Sequence, residues 1–247
     1  MKNRLYDATK IDWDNLMFST KELWMLLIPI MVEQMLNSLM GMADTMMVSN
    51  VGSVAMSAVS LVDSINTLVI QVFAALATGA AIICSHYLGK GDERGANKAA
   101  RQIFLTVIVI SLTITAGGLI FCRPLLRLIF GAVEPAVMED SIIYFLITAS
   151  SYPFIALFNA GGAFYRAGGN SKFPMQISII SNVLNIIGNA VLIFGCDMGV
   201  AGAAISTLVS RVFCAIVVLF FLRKPKQKIV LDQYHTTRPD FPLIGKI

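Results

Sequence analysis

The stretch LWMLLIPIMVEQMLNSLMGMADTMMVSN, residues 23–50, decides the fold of this chain. It is apolar and long enough to cross a bilayer as a helix, which takes roughly 20 residues. Asp44 lies within it, and a charge near the middle of a membrane helix costs ~2.5–3.5 kcal/mol on insertion scales. Because such a residue is rare without a role, we predict that Asp44 faces a polar cavity rather than lipid.

The composition indicates an integral membrane protein. Of the 247 residues, 56% are hydrophobic and only 14% are charged, and the mean hydropathy is +0.73. Soluble domains carry about 25% charged residues. The net charge of +4 does not indicate nucleic-acid binding, because the basic residues cluster in alternate loops between apolar segments. The expected surroundings are the lipid bilayer.

Six apolar segments are long enough to span a membrane, which predicts an all-α membrane protein with six transmembrane helices. The second segment exceeds the length of one span, so we expect it to be tilted or to extend past the membrane. The six segments cover approximately residues 23–50, 54–88, 99–121, 138–167, 173–194 and 201–222.

Lysine and arginine residues set the predicted orientation of these spans. Sixteen of the 19 fall before the first span, in alternate loops or after the sixth span, all on one side. The opposite side has only Arg123 and Arg127, and Arg211 lies within the sixth segment. This bias predicts a multi-pass protein of the cell membrane, inner or plasma, with both ends of the chain in the cytoplasm.

The sequence divides the chain into three parts. Residues 1–22 mix four basic with four acidic side chains around a few apolar ones, which predicts an amphipathic cytoplasmic lead-in. Residues 23–222 form the six-helix transmembrane lobe. Residues 223–247 are polar at first and then end on FPLIGKI. We expect this tail to be a cytoplasmic linker that leads towards another helix.

Two spans carry polar stripes with helical spacing. Asn37 and Asp44 follow Glu33 by 4 and 11 residues, which places all three on one helix face. The fifth segment repeats this spacing with Ser178, Asn182, Asn185 and Asn189. Amide oxygens suit hard cations such as Na⁺, so the stripes indicate a cation or substrate pathway. The alternative is a structural polar seam between packed helices.

Other polar residues complete the candidate set. On the sixth segment Thr207 is a candidate ligand, although membrane hydroxyls usually bond their own backbone. Arg211 is expected to pair with Asp44 or Glu33, or to reach towards the interface. Pro29 is a candidate hinge in the first helix, with a fixed bend as the alternative. We expect Asp63 to be a wetted rim residue. The predicted substrate cavity comprises Glu33, Gln34, Asn37, Asn182 and Arg211.

Several stretches together resemble the amino-terminal half of a multidrug and toxic compound extrusion (MATE) transporter. The resemblance implies one six-helix lobe of a two-lobed, twelve-helix antiporter, with the second lobe as the missing partner. The stretches are PIMVEQMLNSLMGMADTMMVSNVG (29–52), SHYLGKGDERGANKAARQ (85–102), YRAGGNSKFPM (165–175), SNVLNIIGNAVLIFG (181–195) and GVAGAAISTLVS (199–210).

The resemblance also implies roles for four residues. Asp44 matches the acidic residue of the first helix that couples transport to a cation. Asn185 matches a site asparagine, and Thr207 matches a hydroxyl ligand. Asn189 stands where an aspartate is usual, which removes one carboxylate from the Na⁺ or H⁺ site and favours proton coupling through Asp44. The implied function is export of small organic cations in exchange for H⁺ or Na⁺ by alternating access, with no enzyme activity and no cofactor.

Three alternatives to this function require different residues. A lipid-linked oligosaccharide flippase of the same superfamily needs several cationic residues in its cavity, and only Arg211 is intramembrane. An intramembrane protease needs a serine nucleophile and a base, but the chain has no GxSG motif and no histidine in the middle of a span. A membrane scaffold without transport predicts that Asp44 contributes to stability alone.

Overall fold

The computed structural model describes residues 20–131, 133–224 and 229–230, and within them the only regular structure is helical. The predicted lead-in and most of the predicted linker lie outside these residues. The α-helices are α1 Thr20–Ser49, α2 Ser53–Gly89, α3 Glu93–Ile120, α4 Cys122–Phe130, α5 Pro135–Ser150, α6 Tyr152–Ala167, α7 Lys172–Asn189 and α8 Gly199–Leu222.

Six membrane spans follow from these helices, as the sequence predicted. Five helices, namely α1, α2, α3, α7 and α8, are long and apolar enough to cross a bilayer. For α7 the span includes the turn that extends the helix to Gly195. The remaining span, fourth in chain order, is the pair α5 and α6, which meet at a 42° bend. Ser151 lies at the break, and Pro153 is the second residue of α6. Because proline has no backbone N–H to donate to the preceding turn, it interrupts the helix there.

Two elements differ from the predicted segments. Residues 122–130, which the sequence analysis left outside the spans, form the short helix α4. Its Leu126 is buried, whereas Arg123 and Arg127 are exposed. The fifth span ends in a π-helical turn at Ala190–Gly195, directly after Asn189. Such wide turns are frequent at functional sites.

The lobe is centred on α2, which packs against α6, α5 and α3, while α8 packs against α7, α6 and α5. Small residues allow close approach at these contacts. At Gly161 of α6, a Cβ atom would overlap the side chain of Val218 on α8. At Gly188 of α7, it would overlap Ser206 on the same helix α8. These two glycines therefore bring α8 close to the cavity-lining helices.

Helix α1 packs mainly against α7, with a smaller contact to α2. Much of its surface is apolar and exposed, including Met31, Met35, Leu39, Met42 and Met46. Pro29 lies within an unbroken helix that runs from Thr20 to Ser49. The polar stripe of α1 therefore faces α7, and its methionine-rich side is free to meet lipid or another lobe.

Candidate functional site

A cavity of about 380 Å³ lies within the helical lobe and is lined by residues of α1, α2, α5, α6, α7 and α8. This volume is in the range typical of sites for small organic molecules. Its lining has three charged side chains, Asp44, Asp63 and Arg211. The remaining lining combines amides and hydroxyls with apolar and aromatic side chains, such as Ile70, Ile155, Phe158 and Tyr144.

The four residues predicted as a cation site are brought together at this cavity, where Asp44, Asn185 and Thr207 belong to the lining and Asn189 is hydrogen-bonded behind them. Asn189 Nδ2 donates to Asp44 Oδ1 at 2.5 Å and also lies 3.3 Å from Asn185 Oδ1. Asn185 Nδ2 in turn donates to Thr207 Oγ1 at 3.3 Å. The Thr207 hydroxyl donates to the carbonyl of Ala203 at 3.0 Å. One hydrogen-bonded chain therefore links α1, α7 and α8.

The donor atoms of this chain suit a small hard cation. Asp44 supplies an anionic oxygen, while Asn185 and Thr207 supply neutral oxygens. Asn189 Oδ1 is buried and accepts no hydrogen bond from any described residue. Oxygen ligands of this kind bind Na⁺, and a lone carboxylate equally accepts a proton. The described residues contain no group of three or more His, Cys, Asp or Glu that could hold a metal.

Asp63 was expected at a wetted rim, but it lies in the wall of the same cavity. Its Oδ1 accepts hydrogen bonds from Asn66 Nδ2 and Tyr144 Oη, both at 3.2 Å. Tyr152 Oη donates to Asn66 Oδ1 at 2.8 Å. Tyr144, on the first half of the bent span, contacts this carboxylate directly, whereas Tyr152, on the second half, is connected to it through Asn66. The sequence signal was the pair Asp63 and Asn66, one helical turn apart.

Arg211 has a different partner from those predicted. Its Nη1 donates to Ser151 Oγ at 2.7 Å, at the break between α5 and α6. Within the described part of the chain it forms no ion pair with Asp44 or Glu33. The bend brings the hydroxyl of Ser151 in front of the guanidinium, and this contact could not be read from the sequence spacing.

Glu33 is paired with an arginine in the last turn of α6. Its Oε2 lies 3.3 Å from Nη1 of Arg166, at the end of α6, and its Oε1 is 3.5 Å from Ser178 Oγ on α7. Glu33 is buried, whereas Arg166 is 26% exposed. The ion pair therefore connects α1 to α6, and the hydrogen bond from Ser178 connects α1 to α7.

The predicted substrate residues divide into two groups. Asn37, Asn182 and Arg211 line the cavity. Glu33 and Gln34 lie outside its lining, and Gln34 is exposed. Asn182 Nδ2 and Ser210 Oγ are buried without a hydrogen-bond partner among the described residues. Both residues belong to the cavity lining, but these two atoms are themselves inaccessible from it.

We expect the Glu33–Arg166 pair to stabilise the lobe, because removal of one partner leaves the other charge poorly solvated. Glu33→Gln and Arg166→Gln should each lower the melting temperature in detergent. The double variant should lose less stability than the two single variants together, which corresponds to a coupling energy of about 1 kcal/mol between the two side chains. Exposed Glu139→Gln is the matched control and should leave the melting temperature unchanged. Additive losses would show that the two side chains do not interact.

Comparison with known proteins decides the family. The MatE family model matches residues 29–191, which include most of the helical lobe and Asp44, Asn185 and Asn189. The chain belongs to the MatE family. Thr207 and Arg211 lie beyond the matched region, so their assignment depends on the structure and on the resemblance described above.

Curated MATE relatives match along most of this chain. It is 32% identical over 209 residues to the uncharacterized transporter YisQ of Bacillus subtilis, covering 83% of this chain and 46% of that protein. It is 30% identical over 216 residues to the probable multidrug resistance protein NorM of Thermotoga maritima, covering 84% and 45%. The chain thus spans about half the length of these relatives.

Solved MATE structures share the fold. A MATE crystal structure in the bent conformation superimposes with a TM-score of 0.84 and 26% identity, over 91% of this chain and 50% of that one. An outward-facing multidrug resistance MATE transporter gives a TM-score of 0.85 and 25% identity, over 92% and 50%. These matches confirm the predicted MATE-type lobe and its identity as about half of a MATE transporter.

Proposed function

We propose that this chain is the amino-terminal lobe of a secondary active exporter, which expels small organic cations in exchange for H⁺ or Na⁺. The observation that supports this most strongly is the hydrogen-bonded cluster of Asp44, Asn189, Asn185 and Thr207, which borders a cavity of ligand size and of which all but Asn189 line it. Relatives named as multidrug resistance or multidrug export proteins, from Thermotoga maritima and Staphylococcus saprophyticus, support export.

The proposed setting is the cell membrane, with both ends of this chain in the cytoplasm and a second six-helix lobe opposite α1. The exposed methionine-rich surface of α1 is compatible with such a neighbour. Alternating access would follow from rocking of the two lobes around the cavity. No cofactor is needed, because the coupling ion itself supplies the driving force.

In the proposed mechanism, Asp44 binds the coupling ion and thereby controls the position of α1. The hydrogen bond from Asn189 to Asp44 is a tie between α1 and α7. A proton on Asp44 removes its negative charge and so weakens the hydrogen bond from Asn189. A Na⁺ ion instead attracts the side-chain oxygens of both Asp44 and Asn189. Either event changes the contact between α1 and α7, and a ligand shifts a conformational equilibrium only through such differential contacts.

The alternatives find less support in the cavity. A flippase for a pyrophosphate-linked sugar would require several cations, and Arg211 is the one basic residue among the lining residues described. One relative of 26% identity, from Shewanella oneidensis, is named an FAD transporter, so an anionic substrate class is known among similar proteins. A scaffold without transport would leave the polar residues that line the cavity, such as Asn182 and Ser210, without a function.

The test uses proteoliposomes of the complete transporter loaded with ethidium. An imposed inward H⁺ or Na⁺ gradient should accelerate ethidium efflux over vesicles without a gradient. Separate gradients of the two ions identify the coupling ion. If efflux is equally fast with and without either gradient, the protein is not an antiporter of this kind.

Asn189→Asp should shift coupling towards Na⁺. The variant places a second carboxylate beside Asp44, and two like charges at ~4 Å interact by about 4 kcal/mol at an effective dielectric constant of 20. The pair must then share a proton or bind a cation. We expect Na⁺ to stimulate efflux about tenfold more than in wild type, equivalent to about 1.4 kcal/mol. Asn182→Asp, on the same helix, is the control for added charge alone. Equal stimulation of efflux by Na⁺ in both variants would contradict the assignment of Asn189 to the ion site.

A further inference from the structure

A second cavity, of about 410 Å³, is an apolar groove between α2, α3, α4 and the bent span. Its lining includes Leu125 of α4, Phe145 of α5 and Tyr152 at the start of α6. The groove is open at Gly117 of α3, because a Cβ atom there would meet nothing within 4 Å. The hydroxyl of Tyr152 already donates to Asn66 at 2.8 Å. The described lining therefore offers no unpaired polar side-chain group.

The apolar groove is suited to the acyl chain of a lipid. Apolar spaces exclude water, and the walls of the groove gain dispersion contacts only from an apolar neighbour. Phe121 belongs to the lining and is 59% exposed, so the groove opens at the surface of the lobe. Since membrane spans surround it, lipid chains are the apolar molecules that reach this opening.

Helix α4 adds positive charge beside the groove. Arg123 and Arg127 flank Leu125 along the chain, and both are exposed. Neither forms an ion pair with a described residue. Because they are four residues apart, the two side chains lie on the same helix face. A guanidinium binds a phosphate group through two parallel hydrogen bonds, so this pair is suited to the headgroup of an anionic phospholipid.

The placement of these two arginines is unusual for this chain. They are the only basic residues on the side opposite the predicted cytoplasmic side, where short loops carry few Lys and Arg residues. They share their short helix with the exposed apolar side chains of Leu128 and Ile129. This combination is typical of a helix that lies in the interface between lipid and water. The arginines are therefore expected at the level of the lipid headgroups.

We propose that the apolar groove holds one acyl chain of an anionic phospholipid, whose headgroup phosphate is bound by Arg123 and Arg127. The chain extends from α4 towards Tyr152, which lies at the bend in the middle of the fourth span. The site is separate from the cavity that contains Asp44 and Arg211. It requires only that the lobe lies in a membrane, so it does not depend on the proposed export function.

The experiment uses the complete transporter in phosphatidylcholine vesicles that contain a small amount of a photoreactive lipid. Two probes carry the same diazirine-labelled acyl chain. One is phosphatidylglycerol, which is anionic, and the other is phosphatidylcholine, whose net charge is zero. After illumination, mass spectrometry of peptides locates the labelled residues. The readout is the ratio of labelling by the anionic probe to labelling by the neutral probe on residues 114–125, so protein quantity cancels.

We expect preferential labelling of these residues by the anionic probe in wild type. Arg123→Gln and Arg127→Gln should each lower the ratio roughly fivefold, because one basic side chain near anionic lipid contributes a factor of about that size. Gly117→Leu fills the groove and should reduce labelling of this peptide by both probes. Arg94→Gln removes an exposed arginine at the other end of α3 and should keep the wild-type ratio.

Three results would overturn the inference, and they are distinguishable. Equal labelling by the two probes in wild type would show that the groove does not select an anionic lipid. A wild-type ratio in both arginine variants would show that the guanidinium groups do not bind the headgroup. Labelling of other peptides but not of residues 114–125 would show that protein, such as the second lobe, covers the groove. No transport is measured, so each of these results leaves the proposed export function intact.

Discussion

Asp44→Asn is expected to reduce gradient-driven efflux of organic cations to the level of vesicles without protein. The substitution keeps the size of the side chain and its ability to accept a hydrogen bond from Asn189, but it removes the only carboxylate of the proposed ion site. An amide neither exchanges a proton at neutral pH nor supplies charge to offset the dehydration of Na⁺. Efflux from proteoliposomes, with protein quantity matched, measures the loss.

Asp197→Asn is the matched control for this change. Asp197 is exposed, lies in the turn before α8 and has a φ of 53°, a conformation that asparagine tolerates well. We expect its efflux to equal that of wild type. The Asp44 variant should retain a symmetrical elution profile in detergent, because the carboxamide preserves the packing of α1 against α7. Wild-type efflux by Asp44→Asn would contradict the role of this residue in coupling.

Gly161→Ala is expected to destabilise the lobe strongly. The added Cβ would overlap the Val218 side chain and contact Leu222 at 3.3 Å. Val218 is fully buried, and a β-branched side chain has little freedom to move away. Overpacking of this kind costs typically 1–3 kcal/mol. The melting temperature in detergent and the yield of monodisperse protein should both fall.

Two further variants test the cause of this loss. Val218→Ala combined with Gly161→Ala relieves the overlap, so the double variant should be more stable than the sum of the single changes implies. Gly117→Ala is the matched control, since a Cβ there meets nothing within 4 Å and alanine favours the helix. If Gly161→Ala has the same melting temperature as Gly117→Ala, α6 and α8 do not pack closely at Gly161.

The spans could be predicted from the sequence because lipid imposes a minimum apolar length on every helix. Helix α4 could not, since residues 122–130 form a short amphipathic helix with two arginines and a proline, too brief for a periodicity signal. The bend at Ser151 was indicated only by Pro153, and its angle depends on packing against α2 and α8.

The cation site was partly visible in the sequence. Helical spacing placed Asp44 and the asparagines of α7 on polar faces, and the family resemblance joined them to Thr207. The contacts of Asp63 and Arg211 were not accessible in this way. Their partners Tyr144 and Ser151 are 81 and 60 residues distant along the chain, and spacing within one helix says nothing about which faces meet across the bundle.

Ion movement driven by substrate tests the central proposal most directly. Proteoliposomes of the complete transporter are prepared with no ion gradient, with a pH-sensitive or Na⁺-sensitive dye inside, and ethidium is added outside. Antiport predicts that ethidium entry is accompanied by a rise of internal pH or a fall of internal Na⁺, and that Asp44→Asn abolishes this response. Entry of ethidium with neither ion moving would contradict ion-coupled exchange.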